Sequence, residues 1–343
     1  MQKIIVTGGM GYIGSHTVIE LINHGFEPII LDNLSNASIE VLDGIKKITG
    51  AKVKFENIEL TDSDATSKIL NKHKDSIGVI HFAALKAVGE SVEKPLLYYK
   101  NNIFSLVNIL DAAKANKIPH FIFSSSCTVY GQPDVLPVTE ATPIKPAASP
   151  YGNTKQVGEE ILEAAMSKDQ ETHSCISLRY FNPVGAHNSA EIGELPLGVP
   201  NNLMPYITQT AAGVRDQLSV FGDDYNTPDG TAIRDYIHVV DLAEAHVIAL
   251  KRLIEKENTR PYEVYNLGTG KGHSVMEVIK SFEKSTGIKL NFKKVARRAG
   301  DIQSIFADTQ KASEKLKWQT RYSLDDMTSS AWAWEKKLRN ISK

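Results

Sequence analysis

The chain has 343 residues, enough for two domains or for one large domain with a smaller lobe. Its hydrophobic fraction of 42% and charged fraction of 23% suit a globular protein, and a net charge of −1 gives no basis for nucleic-acid or membrane partners. The two cysteines, Cys127 and Cys175, exclude a disulfide framework and fit a reducing cytoplasmic setting, and the scattered histidines form no ligand-spaced pair, so no metal is expected. The N-terminus enters a strand with no secretory or transit pattern. The longest uncharged stretch, 195–214, contains Pro196, Pro200 and Pro205, which exclude a lipid-exposed helix.

Residues 4–6 read as a buried strand that breaks at once into Gly8, Gly9, Gly11 and Gly14. A helical pattern follows, with Ile13, Val18, Leu21 and Ile22 on its apolar face and Gly25 placed to end it. Strand, glycine turn and helix is the geometry that brings backbone N–H groups and a helix N-terminus against a pyrophosphate. Such a turn can also join strand to helix with nothing bound. A second apolar run, 29–31, ends in Asp32 about 20 residues on, which favours a dinucleotide. The Asp32 carboxylate can accept both ribose hydroxyls and would repel a 2′-phosphate, so NAD is expected over NADP.

A polar loop at 33–38 precedes a short strand at 53–55. Residues 61–73 read as a helix capped by Thr61 or Asp62. A fourth strand, 79–82, runs into Ala83, Ala84, Leu85 and Lys86. A long helix over 97–116 carries Ile103, Leu106, Leu110 and Ala113 at helical spacing. The fifth strand, 121–123, ends in Ser124, Ser125 and Ser126. A helix starts at Pro150 with Ser149 as its cap, and 175–179 is the sixth strand. This alternation predicts an α/β fold, a doubly wound parallel sheet of Rossmann type. Ligands in such sheets sit beyond the carboxyl ends of the strands. That rule gathers the glycine turn, Asp32, 82–86, 124–126, Phe181 and Asn182 on one rim.

The pattern loosens after Asn182. A helix over 204–213 and a strand over 218–221 come first. Residues 235–238 and 264–266 read as returns to the sheet, with a helix over 240–254 between them. The tail from Ser274 ends in an amphipathic helix carrying Trp332 and Trp334. The expected division is therefore 1–182 with returns at about 232–267 as the dinucleotide-binding domain. Residues 183–231 and 268–343 make a smaller mixed α/β lobe that closes over the rim.

Tyr151 and Lys155 are four apart on one helix, so both point the same way. A free phenol, with a pKa near ~10, is a poor base at neutral pH. A nearby ammonium and a positively charged nicotinamide both favour the phenolate. Such a tyrosine can take a hydroxyl proton while hydride leaves the same carbon, an effect of roughly 10²–10⁴ in rate. Ser126 can hydrogen-bond the same hydroxyl. The alternative is a surface pair on a helix; the serine-tipped strand upstream and the glycine turn favour catalysis.

These motifs make the chain resemble the extended short-chain dehydrogenase/reductases over nearly its whole length, and within them the UDP-hexose 4-epimerases. The first signatures are 7–16, 31–34 and 124–131. More specific are Leu85-Lys86-Ala87-Val88-Gly89-Glu90-Ser91, Asn182-Pro183-Val184-Gly185-Ala186-His187 and Asn201-Asn202-Leu203-Met204-Pro205-Tyr206, with 234–239 completing the set. The resemblance implies Tyr151 as the base at the sugar 4-hydroxyl, Lys155 on the nicotinamide ribose, and Ser126 assisting. It implies that NAD is lined by Gly8, Gly11, Tyr12, Ile13 and Gly14. Asp32, Asn33, Leu34, Ser35, Asn36 and Ala37 follow. Phe82, Ala83, Ala84, Leu85, Lys86, Asn101 and Phe181 complete that lining. Asn182, Asn202, Leu203, Ser219 and Phe221 would hold the UDP-sugar, with Arg234, Arg298, Asp301 and Ile305. The implied reaction interconverts UDP-galactose and UDP-glucose. Hydride leaves C4, the 4-keto sugar turns about its phosphate linkage, and hydride returns to the other face.

Arg234 and Arg298 also make sense without the family, because a diphosphate suits planar bidentate cations. Lys293 and Lys294 read as a solvated surface. Three departures stand out. The adenine pair, usually Asp-Ile, is Glu59-Leu60 here. Ala84 stands where glycine is frequent. Ile305 occupies the position whose size governs entry of N-acetylated sugars, a discrimination of about 1–3 kcal/mol. UDP-galactose and UDP-glucose are the expected main substrates, with N-acetylated forms secondary.

A dehydratase of this fold would need an acid where Cys127 and Thr128 stand. A decarboxylase would need a cation for a uronic acid, for which there is no clear candidate. A non-catalytic NAD-sensing relative would commonly lose the tyrosine or the lysine, and both are present. The helices over 97–116 and 150–166 carry more apolar surface than the sheet can cover, which predicts a homodimer; internal packing is the alternative.

Overall fold

The computed structural model describes residues 1–167, 172–298 and 301–341. The chain begins with β1 (Lys3–Thr7), α1 (Tyr12–Asn23), β2 (Glu27–Asp32), α2 (Val41–Thr49), β3 (Lys54–Asn57) and α3 (Ser63–Lys72). It continues with β4 (Ser76–His81), α4 (Val88–Glu93), α5 (Pro95–Ala115), β5 (His120–Ser124), α6 (Pro150–Ser167) and β6 (Ser174–Tyr180). Then come β7 (Asn182–Val184), α7 (Leu203–Ala211), β8 (Leu218–Phe221), β9 (Ile233–His238), α8 (Val239–Ile254) and β10 (Tyr262–Leu267). The tail holds β11 (Gly272–Ser274), α9 (Val275–Thr286), β12 (Phe292–Val295), β13 (Ser304–Ile305) and α10 (Leu324–Leu338).

Seven parallel strands form the central sheet in the order β10-β6-β5-β4-β1-β2-β3. Its strands are continuous apolar runs because both faces are covered. Alternation along each strand sends Ile4, Val6 and Ile30 to one face, packed with Val18, Ile19 and Leu21 of α1 and with Leu242 and Leu250 of α8. Ile5, Ile29 and Leu31 go to the other, with Leu106, Ile109 and Leu110 of α5 and Leu162 of α6.

Local signals set several helix starts. Asp62 rather than Thr61 caps α3, its carboxylate accepting from Ala65 N at 3.0 Å. Ser149 Oγ accepts from Gly152 N at 3.2 Å, with Pro150 as the first helical residue. The helix α2, which the sequence pattern leaves as loop, has Gly44 near its middle. A Cβ there would lie 2.6 Å from Ile192 Cγ2, so close packing explains a residue that weakens the helical signal.

One strand is placed differently from the sequence reading. β10 joins the central sheet, but β9 does not. It centres a smaller sheet, β11-β9-β13, and also pairs with β7, which follows β6 after a single residue. Asp235 of β9 locks this arrangement, accepting from Thr269 N and Oγ1, Gly270 N and Ala307 N. A separate core joins Val184, Met204, Ile207, Tyr236, Phe282 and Trp332. Residues 312–318 pack against the central sheet's core instead, where Trp318 Nε1 donates to Asp241 O at 3.1 Å.

Among the described residues, no helix is long and apolar enough to cross a membrane, and no group of three or more His, Cys, Asp or Glu side chains could hold a metal ion. Both cysteines are free and buried.

His81, at the end of β4, is buried against Phe121 and Phe123 with Nδ1 2.8 Å from Thr7 Oγ1. Burial, and then the charge of Lys155, lower its pKa to about 3. As pH falls below the unfolded histidine value of about 6.5, the unfolded chain takes up a proton that the native state refuses. His81 should therefore cost stability at about 1.4 kcal/mol per pH unit from there down to the native pKa. Other buried histidines such as His16 and His246 add slopes of the same sign, so the check is a difference: His81→Gln should reduce the pH 7 to 5 slope of urea-unfolding stability by one proton's worth.

Candidate active site

The glycine turn leaves β1 and enters α1 without a side chain in the way. Gly8 has φ +67°, and a Cβ on it would lie 2.7 Å from Ala83 N. A Cβ on Gly14 would lie 2.3 Å from Gly8 O. Gly11 heads α1 with no side-chain cap, so the first-turn N–H groups face outward for an anion. Asp32 closes the rim of β2. One of its carboxylate oxygens accepts from Met10 N at 3.1 Å and the other from Leu34 N at 2.9 Å. Burial raises its pKa, against the N–H donors of Leu34 and Met10. Each oxygen keeps a lone pair, so Asp32 can still meet ribose hydroxyls. This cradle fits a dinucleotide.

The other cofactor-side candidates are spread along the same rim. Asn33 Nδ2 donates to Glu59 at 2.8 Å, and Glu59 also accepts from Thr61 N and Oγ1. Burial works against the Glu59 charge, but these donors hold its carboxyl below the usual range. Leu60 is a different case: it is 4% exposed and packs in the sheet core, and its carbonyl already accepts from Asn108 Nδ2 at 2.9 Å and Thr66 Oγ1 at 3.2 Å, so its side chain offers no open lining. Ser35 and Asn36 are exposed, and Ala37 packs partly against α1's core. Tyr12 donates its hydroxyl to Gly185 O at 2.6 Å. Ile13 packs against the core beneath the turn. Phe82 lies against His246, with ring centroids 4.7 Å apart.

Asn102, which the sequence reading passed over, fixes the loop after β4. Its amide accepts from Leu85 N at 2.8 Å and donates to Leu85 O and Thr154 Oγ1, each at 3.0 Å; Asn101 donates to it in turn. The available signal was a polar residue on the apolar face of α5, in step with Leu106 and Ile109.

At the mouth of β5, Tyr151, Ser126 and Lys155 meet. Tyr151 is 8% exposed, and the Ser126 hydroxyl beside it favours its phenolate. Ser126 Oγ also accepts from Thr128 N at 3.2 Å. Lys155 Nζ donates to Ser124 O at 2.7 Å and stands 4.8 Å from the Phe123 ring centroid and 5.9 Å from that of Tyr151. Lys155 alone does not lower the Tyr151 pKa. Burial, and then Tyr180, push it well above its ordinary value, with Ser126 opposing. The pocket is dry enough that Lys155 itself falls to about 8, its charge disfavoured by burial and supported by Glu159. Beneath it, buried Arg179 holds Glu159 with three contacts of 2.6–3.2 Å, and Ser125 Oγ donates to Glu159 at 2.5 Å.

The substrate-side candidates form two groups. Arg298 donates to Asp301 at 2.8 and 3.2 Å, Arg234 Nη2 stands 3.9 Å from the same carboxylate, and the Arg298 guanidinium lies 5.8 Å from the Phe221 ring centroid. Ser219 and Phe221 sit on β8, and a cavity of about 460 Å³ borders Asp301. Asn182 sits on β7, and Asn202 and Leu203 head α7. Phe181 and Ile305 are 4% and 1% exposed and pack with Cys127 and Val129, forming a floor instead of an open lining. Glu194, also missed by the sequence reading, accepts from Asn202 at 2.7 Å and from Lys86 at 3.3 Å.

Fold and rim together define a dinucleotide-binding protein with a tyrosine-lysine centre. The GDP-mannose 4,6-dehydratase family model matches residues 5–331. The chain is 49% identical to a UDP-glucose 4-epimerase of Dictyostelium discoideum, covering 97% of this chain and 96% of that protein. It is similar in structure to the UDP-glucose 4-epimerase of Stenotrophomonas maltophila, with bound NAD and formylated UDP-arabinopyranose: TM-score 0.95, 44% identity, 100% of both chains. The Bifidobacterium longum UDP-glucose 4-epimerase, in complex with NAD+ and UDP, aligns at TM-score 0.94 and 44% identity over 99% of both chains. The chain belongs to the extended short-chain dehydrogenase/reductases and, within them, to the UDP-glucose 4-epimerase family.

Proposed function

We propose that this protein is an isomerase that interconverts UDP-galactose and UDP-glucose with NAD as cofactor. The observation that carries the reading is the meeting of Tyr151, Ser126 and Lys155 on the rim that also holds the glycine cradle and Asp32. Bound NAD would supply a two-electron acceptor that can return what it takes. Tyr151 takes the proton of the sugar 4-hydroxyl and later gives one back. Ser126 orients that hydroxyl, and Lys155 holds positive charge near the phenol. Because burial raises the Tyr151 pKa, proton removal depends on nearby positive charge.

Arg234, Arg298 and Asp301 hold the nucleotide end, so the sugar is free to present either face. Arg298→Ala should raise the KM for UDP-galactose about 10-fold or more and leave kcat nearly unchanged, the loss expected for a charge-assisted contact of about 1.5–3 kcal/mol. Steady-state kinetics separates the two constants.

The first test is incubation of the protein with UDP-galactose and, in parallel, UDP-N-acetylgalactosamine. UDP-glucose should appear without net NADH, and faster than the N-acetylated product. Equal rates would reject the substrate ranking; no product from either would reject the function. A dehydratase is the second reading, since the family model bears that name. Against it, the buried Cys127 thiol is pushed up to about 12 and Thr128 is no acid, so neither serves a leaving hydroxide.

Leu97, Phe104 and Val107 of α5 leave an exposed apolar stripe at 43–53% accessibility. A second copy covering it makes a homodimer; a monomer by light scattering at micromolar concentration would refute this. The free, buried cysteines support a cytoplasmic setting.

A further inference from the structure

Two residues one turn apart on α6 grip consecutive residues at the tip of β5. Lys155 Nζ donates to Ser124 O at 2.7 Å, and the Glu159 carboxylate accepts from Ser125 Oγ at 2.5 Å. Ser126 comes next in the chain, and Tyr151 lies one turn before Lys155 on the same helix. The grip therefore sets the serine and the phenol relative to each other. Lys155 and Glu159 are 4% and 5% exposed, so neither charge has bulk water to support it. Arg179 of β6 pairs with Glu159 at 2.6 Å and also donates to Tyr130 OH at 3.0 Å.

A buried ion pair that served the fold alone would be replaceable by apolar side chains. This pair has a second neighbour to serve. Burial works against the Lys155 charge, and Glu159 is the group that supports it. The other titratable groups packed around the cluster offer no substitute. His81 of β4 stays neutral down to about pH 3. Burial pushes up the Cys127 and Cys175 thiols and the Tyr98, Tyr180 and Tyr262 phenols, so all five are uncharged near neutral pH. We infer that Glu159 is a positioning residue that fastens the tip of β5 through Ser125 and supplies the negative charge that keeps Lys155 an ammonium beside Tyr151. This rests on the functional reading above, in which that ammonium serves the Tyr151 proton transfer.

The Lys155 charge is read directly by NMR titration of its ε-methylene in carbon-13-labelled protein, with the signal assigned by Lys155→Met. The midpoint, about 8 in the wild type, should fall in Glu159→Gln by about one pH unit, the lower end of what a close opposite charge contributes. The alkaline limb of the kcat profile for UDP-galactose should move down with it, because turnover needs the ammonium. Glu159→Asp keeps the charge and should hold the midpoint near its wild-type value. Ser125→Ala cuts the tie to β5 and keeps the charge, so kcat should drop several-fold with the midpoint unmoved. If Glu159→Gln alone fails to fold, adding Arg179→Met removes the orphaned guanidinium, and the same titration is run on the double variant. A carboxylate with a purely structural role would lower stability and leave the Lys155 midpoint in place. The inference is overturned by an unmoved midpoint in the charge-removing variant, by a Glu159→Asp midpoint that falls as far, or by wild-type kcat in Ser125→Ala. A wild-type protein that converts no UDP-galactose would instead sink the functional reading, and the titration would still decide whether Glu159 holds the Lys155 charge.

Discussion

Tyr151→Phe should lower kcat by roughly 10²–10⁴ while the protein keeps its fold and its affinity for UDP. The ring stays and only the hydroxyl goes, so the packing of a residue 8% exposed is preserved. The loss falls on one proton transfer. Ser126 cannot replace the phenol, because an aliphatic hydroxyl is a far weaker acid than a phenol and its oxygen already accepts from Thr128 N. The check is steady-state kinetics with UDP-galactose, alongside UDP inhibition as a control for binding. A variant within threefold of wild type in kcat would remove Tyr151 from the chemistry. A variant with unchanged kcat and a raised KM would make it a binding residue.

Arg179→Met should cost about 3–5 kcal/mol of stability, because it leaves the Glu159 carboxylate buried without its counter-charge. Both residues are 4–5% exposed, and Arg179 also donates to Tyr130 OH at 3.0 Å. Glu159 would keep only the Ser125 hydroxyl at 2.5 Å among these partners. The pair lies directly under the serine-tipped end of β5, so its loss should also loosen Ser125 and the neighbouring Ser126. Denaturant unfolding measures the first effect. Adding Glu159→Leu to Arg179→Met should recover much of the stability, since apolar replacement of a whole buried pair is often neutral or better. If the double variant is as weak as the single, the cost lies in lost packing and not in the orphaned charge.

Much of this molecule is written in short-range pattern. The runs at 4–6, 29–31 and 121–123 are apolar because both sheet faces are covered, and strand alternation with helices follows from their spacing. Ser149 before Pro150, and the four-residue step from Tyr151 to Lys155, are local geometry. So is the turn that needs positive φ at Gly8 and a bare Gly14 against Gly8 O. The pattern failed where a long-range partner decides. Gly44 weakens α2 until its contact with Ile192 is known. Residues 235–238 have a strand's composition, and composition does not say which sheet; pairing with β7, β11 and β13 does.

By itself, then, the amino-acid order determined the alternating α/β architecture, the dinucleotide cradle and the face that carries the tyrosine and lysine, because each depends on residues a few positions apart. Only the tertiary structure decided the partners of Glu194 and Arg179, the burial of Leu60 and Ile305, and the raised Tyr151 pKa. Glu194 meets a lysine 108 residues away, and the tyrosine's acidity answers to the dryness of the pocket. Neither distance through folded space nor local dielectric is encoded in spacing along the chain.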